Sequence, residues 1–477
     1  MFTCCCVLFA SLIAAPLPVA EVPAPVLLFG GGDLPDTIRD QFLKLITDPA
    51  RPLVVIADDD TTLDPWKSKN AIRVGPKSTD LKGIQNAGAI WVQVESIDPE
   101  SPVISAVVEA HQKGTPVGGF PSLPLLSGVK IVSHALERNR VDELIQAIER
   151  QPGIVGLAID TRTGLLIQKR ELRVIGESYA VVCLSAGNRR PVSVQILKSG
   201  STNDLYAIRR AAITRSQPPF PADKPLPPVV AKGTLIIGGG GGMPLEVWKR
   251  FIERAGGPDA MIVVIPTALD DPIPAEPGEI KILRKAGATN LKLLHTRDPK
   301  EADRPEFCAI LREAKGVWFS GGRQWRFVDA FEGTLTEQLL RDVLKRDGVI
   351  GGSSAGASIQ SEYMPRGSPV VNTIVMAEGY ERGFGYLPGV AVDQHFFARK
   401  REKDLINLIK LRPQLIGIGI DEGCAIEVRG SELFVLGKSR TGILTVSNES
   451  PTPEVRMEEI LVGERYDLVA RRKVGGR

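Results

Sequence analysis

The stretch "GVIGGSSAGAS", residues 348–358, passes from an apolar run into two glycines, two serines and further small residues. Residues 352–356 match G-x-S-x-G, the sharp turn that joins a strand to a helix and lifts a serine clear of a sheet. Small neighbours are needed there because the backbone is strained and other Cβ atoms would collide. The stretch predicts a nucleophile at Ser354 and a helix over residues 355–363, whose N-terminal amides face the hydroxyl. A Gly/Ser-rich turn without chemistry is the alternative.

Short apolar runs alternate with amphipathic segments around this turn. "MIVVIP" (261–266) and "VWFSGG" (317–322) are apolar nearly throughout, as strands buried on both faces are. "PLEVWKRFIERAG" (244–256) carries apolar residues at helical spacing. The alternation predicts the α/β class, with doubly wound, mostly parallel sheets. Active sites of such folds lie beyond the carboxyl ends of the strands, where we place Ser354.

The chain reads as two similar halves in tandem. "GVKIVSHALERNRVDELIQAIERQPGIVGLAID" (128–160) aligns without a gap with "GVAVDQHFFARKREKDLINLIKLRPQLIGIGID" (389–421). Six prolines lie between the halves, within residues 216–230, a composition that is typical of linkers. We therefore predict one domain over residues 24–212, a linker over 213–231 and a second domain over 232–477.

Composition and charge limit the classes of function. Apolar residues make up 43% of the chain and charged residues 24%, as in globular proteins, and the net charge of +3 argues against a broad nucleic-acid surface. Residues 4–20 are apolar and uncharged, which predicts a signal peptide over residues 1–20. We expect a secreted or periplasmic protein without stable membrane insertion, and a cytoplasmic one if this segment is not a signal.

Neither a metal nor a cofactor is expected from the remaining motifs. Cys183, Cys308 and Cys424 are far apart and odd in number, so they predict neither a disulfide framework nor a metal site. The run "GGGGG" (238–242) suggests a dinucleotide loop, but the spacing that such loops require is not convincing.

A nucleophilic serine needs a base, usually a histidine. The chain has four histidines. His395 follows the apolar run of "VAVDQHFF" (390–397), in the same half as Ser354, and we choose it as the base. His134 occupies the matching position in the first half.

Three carboxylates are candidates for the acid that orients the base: Asp393, Asp421 and Glu422. Asp393 lies two residues before His395 on the same strand, from which a side chain rarely reaches the ring well. Asp421 is retained in the first half, whereas Thr161 replaces Glu422. Because this acid is lost together with the serine, we choose Glu422.

Two backbone amides, those of Ala355 and Gly322, are predicted to form an oxyanion hole. In the first half Val94 and Glu95 stand in the places of the glycine pair, and Pro121 stands in the place of the serine. Proline has neither a hydroxyl nor an amide hydrogen. The first domain is therefore predicted to be degenerate and non-catalytic.

Four separated motifs of the second half resemble the cyanophycinase and aspartyl-dipeptidase (peptidase E-like) family of serine peptidases. They are "GSSAGA" (352–357), "DQHF" (393–396), "FSGGRQ" (319–324) and "GIGIDE" (417–422). The resemblance covers about residues 232–440. It implies a class I glutamine amidotransferase-like fold with serine in place of cysteine, and a triad in the chain order Ser354, His395, Glu422.

The resemblance also implies positions that contact substrate. They are Gln324, Asp393, Gln394, Arg399 and Arg401. Enzymes of this family release β-aspartyl-arginine dipeptides from cyanophycin, a poly-aspartate with arginine on its β-carboxyls, and an arginine cluster can fork onto substrate carboxylates. The chain departs from the family at Asp404, where an arginine is usual, and at Arg323, where an acid is common.

We expect a metal-free, cofactor-free serine exopeptidase that hydrolyses cyanophycin or related β-aspartyl (isopeptide) substrates through an acyl-enzyme. An α-aspartyl dipeptidase, or another hydrolase of small acidic amides, is the first alternative, and a non-catalytic binding or scaffold protein is the second. The expected partner is an Asp/Arg-rich peptide and not a nucleic acid. Because family members are typically dimeric, the two domains are expected to pack as an intrachain pseudo-dimer, with the chain as a monomer.

Overall fold

The structure is a computed structural model that describes residues 22–66, 70–94, 97–120, 124–135, 137–447 and 454–475. The chain divides into two compact units between Pro219 and Phe220, inside the predicted linker. The predicted signal peptide, Glu95 and Pro121 lie outside the described residues. How the units pack stays a prediction, and each is described by itself.

Within the part of the chain that the structure describes, the N-terminal unit contains two sheets and five α-helices. Its strands are β1 (Val26–Phe29), β2 (Leu53–Ile56), β3 (Ala71–Val74), β4 (Ala89–Val92), β5 (Val117–Gly119), β6 (Val129–Ser133), β7 (Val155–Ile159), β8 (Thr163–Gln168), β9 (Glu171–Gly176), β10 (Tyr179–Leu184), β11 (Ser193–Lys198) and β12 (Thr202–Asp204). Its helices are α1 (Asp36–Leu43), α2 (Lys82–Gln85), α3 (Pro102–Gln112), α4 (Val141–Arg150) and α5 (Leu205–Ser216), with a 3-10 helix over Asp60–Trp66.

Parallel strands form the centre of the N-terminal unit. The larger sheet has the order β12-β9-β8-β1-β5-β4-β2-β3, in which β1 to β5 pair in parallel and β8, β9 and β12 are antiparallel. The smaller sheet has the order β11-β10-β7-β6. Helices cover both faces of the larger sheet, because Val54 and Ile56 of β2 pack with α3 while Leu53 and Val55 pack with α1.

The C-terminal unit repeats this plan with more strands. They are β13 (Val230–Gly238), β14 (Ile262–Ile265), β15 (Leu291–Leu293), β16 (Gly316–Phe319), β17 (Val349–Ser353), β18 (Ser361–Tyr363), β19 (Leu387–Gln394), β20 (Ile416–Ile420), β21 (Cys424–Gly430), β22 (Glu432–Gly437), β23 (Arg440–Ser447), β24 (Glu454–Leu461), β25 (Arg465–Asp467) and β26 (Arg472–Val474). The helices are α6 (Leu245–Ala255), α7 (Gly278–Ala286), α8 (Pro299–Ala302), α9 (Pro305–Cys308), α10 (Trp325–Phe331), α11 (Leu335–Lys345), α12 (Ala355–Ser358) and α13 (Glu402–Leu411), with a 3-10 helix over Ala309–Arg312.

The larger C-terminal sheet has the order β15-β14-β16-β17-β13-β21-β22-β25-β26, and the smaller one β18-β19-β20-β23-β24. Strands β13 to β17 pair in parallel, and so do β18 to β20. Val264 and Trp318 of the larger sheet pack with Trp248 and Phe251 of α6, which explains why these strands read as apolar nearly throughout. The mixed α/β class predicted from the sequence is confirmed, with parallel strands extended by antiparallel ones.

The helix predicted over residues 355–363 is wrong beyond its first turn. Helix α12 ends at Ser358, and β18 begins at Ser361. Tyr363 pairs with Ala391 of β19, so pairing with a distant strand overrides the local tendency to continue the helix. The predicted linker also differs at its ends, since α5 runs to Ser216 and β13 starts at Val230. Within the described ranges, no helix has the length and apolar character needed to cross a membrane.

Candidate active site

Ser354 stands between β17 and α12, at the carboxyl end of a parallel strand. Its backbone angle φ is 55°, in the left-handed region that residues with a Cβ adopt at a cost. A Cβ at Gly352 would lie 2.4 Å from the carbonyl oxygen of Gly356, and a Cβ at Gly356 would lie 2.2 Å from that of Phe319. The glycines of the motif are therefore required by the close backbone packing that presents the serine hydroxyl.

His395 follows directly after β19, and its ring bridges two other side chains. Nε2 lies 2.9 Å from Ser354 Oγ, and Nδ1 lies 2.6 Å from Glu422 Oε1. Because an ionised carboxylate only accepts, Nδ1 carries the hydrogen and Nε2 accepts from the serine hydroxyl. The backbone N–H of His395 donates to the carbonyl of Gly239 over 3.0 Å, which fixes the end of β19 against the end of β13.

The two acids that follow β20 are used differently. Glu422 reaches the His395 ring, whereas Asp421 turns to other partners. Its Oδ1 accepts from the N–H of Ala398 over 2.8 Å and its Oδ2 accepts from the hydroxyl of Ser439 over 2.6 Å. The geometry therefore places Glu422 beside the ring and Asp421 in a turn.

The environment of His395 favours the neutral imidazole. Burial is the largest cause that lowers its pKa below the usual value, and the positive charges of Arg399 and Arg401 act in the same direction. The hydrogen bond from the ring to Glu422 opposes them but does not reverse the shift. A neutral ring at near-neutral pH has Nε2 free to take a proton from the serine hydroxyl.

Comparison with known proteins adds a family to this geometry. Residues 234–436 match the model of peptidase family S51. A cyanophycinase from Geminocystis herdmanii (strain PCC 6308) is 30% identical over 251 residues, which cover 48% of this chain and 91% of that protein. The chain belongs to peptidase family S51.

Two further proteins are similar to parts of the chain. A cyanophycinase from Trichormus variabilis (strain ATCC 29413 / PCC 7937) is 29% identical over 267 residues, 51% of this chain and 88% of that protein. The crystal structure of a peptidase from an acI-B1 Actinobacterium is 24% identical, with a TM-score of 0.38 and coverage of 50% of this chain and 97% of that one. The predicted family is confirmed, and S51 membership indicates a peptidase whose family match lies within the C-terminal unit.

The glycine run 238–242 of this S51 peptidase makes room for the two groups beside Ser354. A Cβ at Gly240 would lie 2.5 Å from Cε1 of His395, and a Cβ at Gly241 would lie 2.5 Å from Oε2 of Glu422. Both glycines have left-handed φ angles, 94° and 67°. From the sequence we considered only a dinucleotide loop here, found its spacing unconvincing, and missed this role.

A signal for that role was present in the repeat. The first half also has a glycine run before its first turn, "GGG" at 30–32. There a Cβ at Gly31 would lie 2.2 Å from Nε2 of His134. Glycines that persist in both halves together with the histidine point to contact between them.

The amides predicted to bind an oxyanion lie in the turns next to Ser354. Ala355 is the first residue of α12, so its N–H has no acceptor within the helix. A Cβ at Gly321 would lie 3.5 Å from Cβ of Ser354, which places the glycine pair alongside the serine. Gly322 has a φ of 127° and packs against the carbonyl of Ala268.

Arg399 is exposed, unlike the other side chains for which substrate contact is predicted. Its side chain is 46% exposed, and Nε lies 3.8 Å from Oε1 of Glu422. It therefore presents a positive charge at the rim of the site, where a substrate carboxylate can reach it.

The other four predicted contacts are buried and bonded within the protein. Gln324 donates from Nε2 to the carbonyl of Pro365 over 2.9 Å. Arg401 donates from Nη1 to Oδ1 of Asp393 over 3.1 Å and to the carbonyl of Gln394 over 2.7 Å. A substrate would have to replace these bonds to reach the four side chains, so the structure gives them an internal role.

The described residues hold no cluster of three His, Cys, Asp or Glu side chains that could bind a metal ion. Cys183, Cys308 and Cys424 are free and buried. Burial raises the pKa of the Cys183 and Cys424 thiols to about 11, so both stay protonated and unreactive near neutral pH.

Proposed function

We propose that the chain is a serine-type exopeptidase that hydrolyses cyanophycin or related β-aspartyl substrates through an acyl-enzyme. The observation that carries the proposal is the hydrogen-bonded row from Ser354 through His395 to Glu422. The cyanophycinase relatives support the class of substrate. The exposed guanidinium of Arg399 provides a charge that complements the carboxylates of such a substrate.

Acylation begins when Nε2 of His395 takes the hydroxyl proton of Ser354. The serine Oγ attacks the carbonyl carbon of the scissile aspartyl amide, which in cyanophycin is a backbone peptide bond, and forms a tetrahedral intermediate with one negative oxygen. The N–H groups of Ala355 and Gly322 donate to that oxygen. The carboxylate of Glu422 holds Nδ1–H and stabilises the imidazolium, which then protonates the leaving amine.

Deacylation repeats these steps with water. The neutral His395 takes a proton from a water molecule, whose oxygen attacks the acyl ester. Collapse of the second tetrahedral intermediate returns the proton to Oγ of Ser354 and releases the acid. No metal ion is needed for either half of this cycle, because the serine and the histidine supply both the nucleophile and the proton transfers.

Replacing the nucleophile tests the proposal. Ser354→Ala should lower kcat by on the order of a millionfold, measured as release of β-aspartyl-arginine from cyanophycin and as hydrolysis of a panel of β-aspartyl dipeptides. Ser353→Ala, one residue before it, is the control that keeps the hydroxyl of Ser354. Wild-type turnover in Ser354→Ala would end the proposal.

An α-aspartyl dipeptidase, or another small acidic amide hydrolase, is the second candidate. Arg323 stands where the family commonly has an acid, and Asp404 stands where it usually has an arginine. These two changes of charge favour a substrate other than cyanophycin. Comparing kcat/KM for cyanophycin with kcat/KM for α-linked aspartyl dipeptides separates the two enzymes. A serine-reactive phosphonate that fails to label Ser354 would instead favour a binding or scaffold protein.

A further inference from the structure

A buried stretch beside the candidate active site, residues 363–368, is held by side chains from several elements; we name it the wall segment. It belongs to the residues 361–388 that the second half has in excess of the first. Gln324 donates to the carbonyl of Pro365 over 2.9 Å, and Arg323 donates from Nη2 to the carbonyl of Ser368 over 2.6 Å. Gln324, for which the resemblance predicts contact with substrate, and Arg323, which departs from the family pattern, therefore both hold this segment.

Arg366 is the centre of the wall segment. Its side chain is 4% exposed, and its φ of 61° lies in the left-handed region. Nε donates to Oδ1 of Asp393 over 2.9 Å, and Nη2 donates to Oδ2 of the same carboxylate over 2.9 Å. Such a two-point pair fixes both position and orientation.

The carboxylate of Asp393 is saturated by donors. Besides the two bonds from Arg366, its Oδ1 accepts from Nη1 of Arg401 over 3.1 Å and from the N–H of Gln394 over 3.0 Å. Its side chain is 1% exposed. Asp393 is therefore a buried anchor whose two oxygens both accept from donors within the protein.

The departure from the family pattern at Asp404 has a partner in the same cluster. Nη2 of Arg366 also donates to Oδ2 of Asp404, on α13, over 2.9 Å. An acid at position 404 compensates the buried guanidinium of the wall segment. The charge change at Asp404 is thus explained by Arg366.

We propose that Arg366 is a positioning residue that holds Asp393, and with it the end of β19, so that the ring of His395 stays between Ser354 and Glu422. Asp393 is two residues before His395, and β19 pairs in register with β20, which ends just before Asp421 and Glu422. A shift of Asp393 is transmitted along this strand to the ring. The effect on turnover rests on the proposed function, whereas the state of the ring does not.

Removing Arg366 changes the charge near the ring in a definite direction. Glu422, Arg399 and Arg401 are the charged groups that act on His395 directly. Without Arg366, one of the two guanidiniums that neutralise Asp393 is lost, and a buried carboxylate without enough partners is costly. The added negative charge favours the imidazolium, so the pKa of His395 should rise.

The test uses the full chain with 13C-labelled histidine and follows each ring by NMR as pH is changed. The chain has four histidines, and His395→Gln assigns the signal of interest. In Arg366→Gln the His395 titration should move to higher pH, and kcat for release of β-aspartyl-arginine from cyanophycin should fall about 100-fold with little change in KM. In Arg366→Lys, which keeps the charge but loses the fork, the titration should stay near wild type while kcat falls.

Two controls frame these results. Arg284→Gln removes an exposed arginine that pairs with Glu276 on the surface, and it should change neither measurement. Asp404→Asn removes the outer partner of Arg366 but leaves the pair with Asp393, so its effect should be smaller than that of Arg366→Gln.

The inference can be overturned whether or not Arg366→Gln folds. Folded Arg366→Gln with wild-type titration and kcat would overturn the inference, and if that variant does not fold, wild-type kcat in Arg366→Lys would overturn it. If the wild-type protein turns over none of the substrates, the proposed function fails, but the titration of Arg366→Gln still tests the role of Arg366.

Discussion

Single charges around His395 set the pH range in which it can act as a base. Burial, Arg399 and Arg401 lower the pKa of the ring, and Glu422 raises it. The base works when it is neutral, so kcat/KM should fall as the pH drops through the pKa of the free enzyme. Because the net shift is downward, activity should persist to lower pH than an ordinary imidazole would allow.

Arg399→Gln tests how much the charge of Arg399 contributes to the lowered pKa of His395. Loss of a charge that lowers the pKa of His395 raises that pKa, so the acid limb of kcat/KM should move to higher pH. The position of the limb is informative even if substrate affinity also changes, because substrate affinity alters the height of the profile. The measurement is kcat/KM across pH for release of β-aspartyl-arginine from cyanophycin.

Lys403→Gln is the matched control for Arg399→Gln. It removes one positive charge from an exposed position of α13, and Lys403 is not one of the charges that shift the pKa of His395. Its acid limb should coincide with that of the wild-type protein. An unshifted limb in Arg399→Gln, or an equal shift in both variants, would contradict the assignment of Arg399.

The two halves differ at the residue after the shared aspartate, and comparing them there distinguishes Asp421 from Glu422. Asp421 and Glu422 are adjacent, and the sequence alone offers no local reason to prefer one of them. The loss of the acid in the first half, together with the serine, pointed to Glu422, and the structure places Glu422 beside the ring. The same comparison could not reach Arg366, because the wall segment has no counterpart in the first half.

At the level of secondary structure elements, the end of β13 and its glycine run pack against the ring of His395. His395 donates its N–H to Gly239, and Gly423 donates to the carbonyl of Gly240 over 2.8 Å. These bonds join the ends of three strands from two different sheets. The run is therefore part of the candidate site, although it has no side chains of its own.

Gly240→Ala and Gly242→Ala separate contact with the ring from backbone strain. Both glycines have left-handed φ angles, 94° and 69°, but a Cβ at Gly242 would meet nothing within 4 Å. Each variant bears about 1–2 kcal/mol of strain, and Gly240→Ala also displaces the ring of His395. We expect kcat to fall about 100-fold in Gly240→Ala and to stay close to wild type in Gly242→Ala, measured with thermal unfolding as a check on stability.

Equal kcat in the two glycine variants would mean that the glycine run does not position the ring of His395. Equal losses of kcat, accompanied by equal losses of stability, would point to strain alone. The comparison thus assigns the role of the run without changing any polar group of the site.

At the scale of the whole molecule, the chemistry is expected in one of the two units. In the N-terminal unit Nδ1 of His134 lies 3.0 Å from Oε2 of Glu137, three residues away along the chain. Thr161 stands where the C-terminal unit has Glu422. The matching position of the serine, Pro121, lies outside the described residues.

His134→Gln and His395→Gln make a matched pair in one chain. His395→Gln should lower kcat by on the order of a millionfold, and His134→Gln should leave kcat and KM unchanged. Release of β-aspartyl-arginine from cyanophycin by the two purified variants measures this directly. A large loss in His134→Gln, with the fold intact, would show that the first unit takes part in turnover.

The mixed α/β class, the serine turn, and His395 and Glu422 as candidates for the base and the acid could be predicted from the sequence alone. These depend on local periodicity, on a short motif and on the comparison of two halves, all of which can be read along the chain. The structure was needed to show that Gln324, Asp393 and Arg401 are bonded within the protein. It was also needed to show that Arg366 bonds to Asp393 and that glycines pack against the ring of His395. Such contacts join residues from separate loops and strand ends, and their partners are chosen by long-range packing, which no local pattern records.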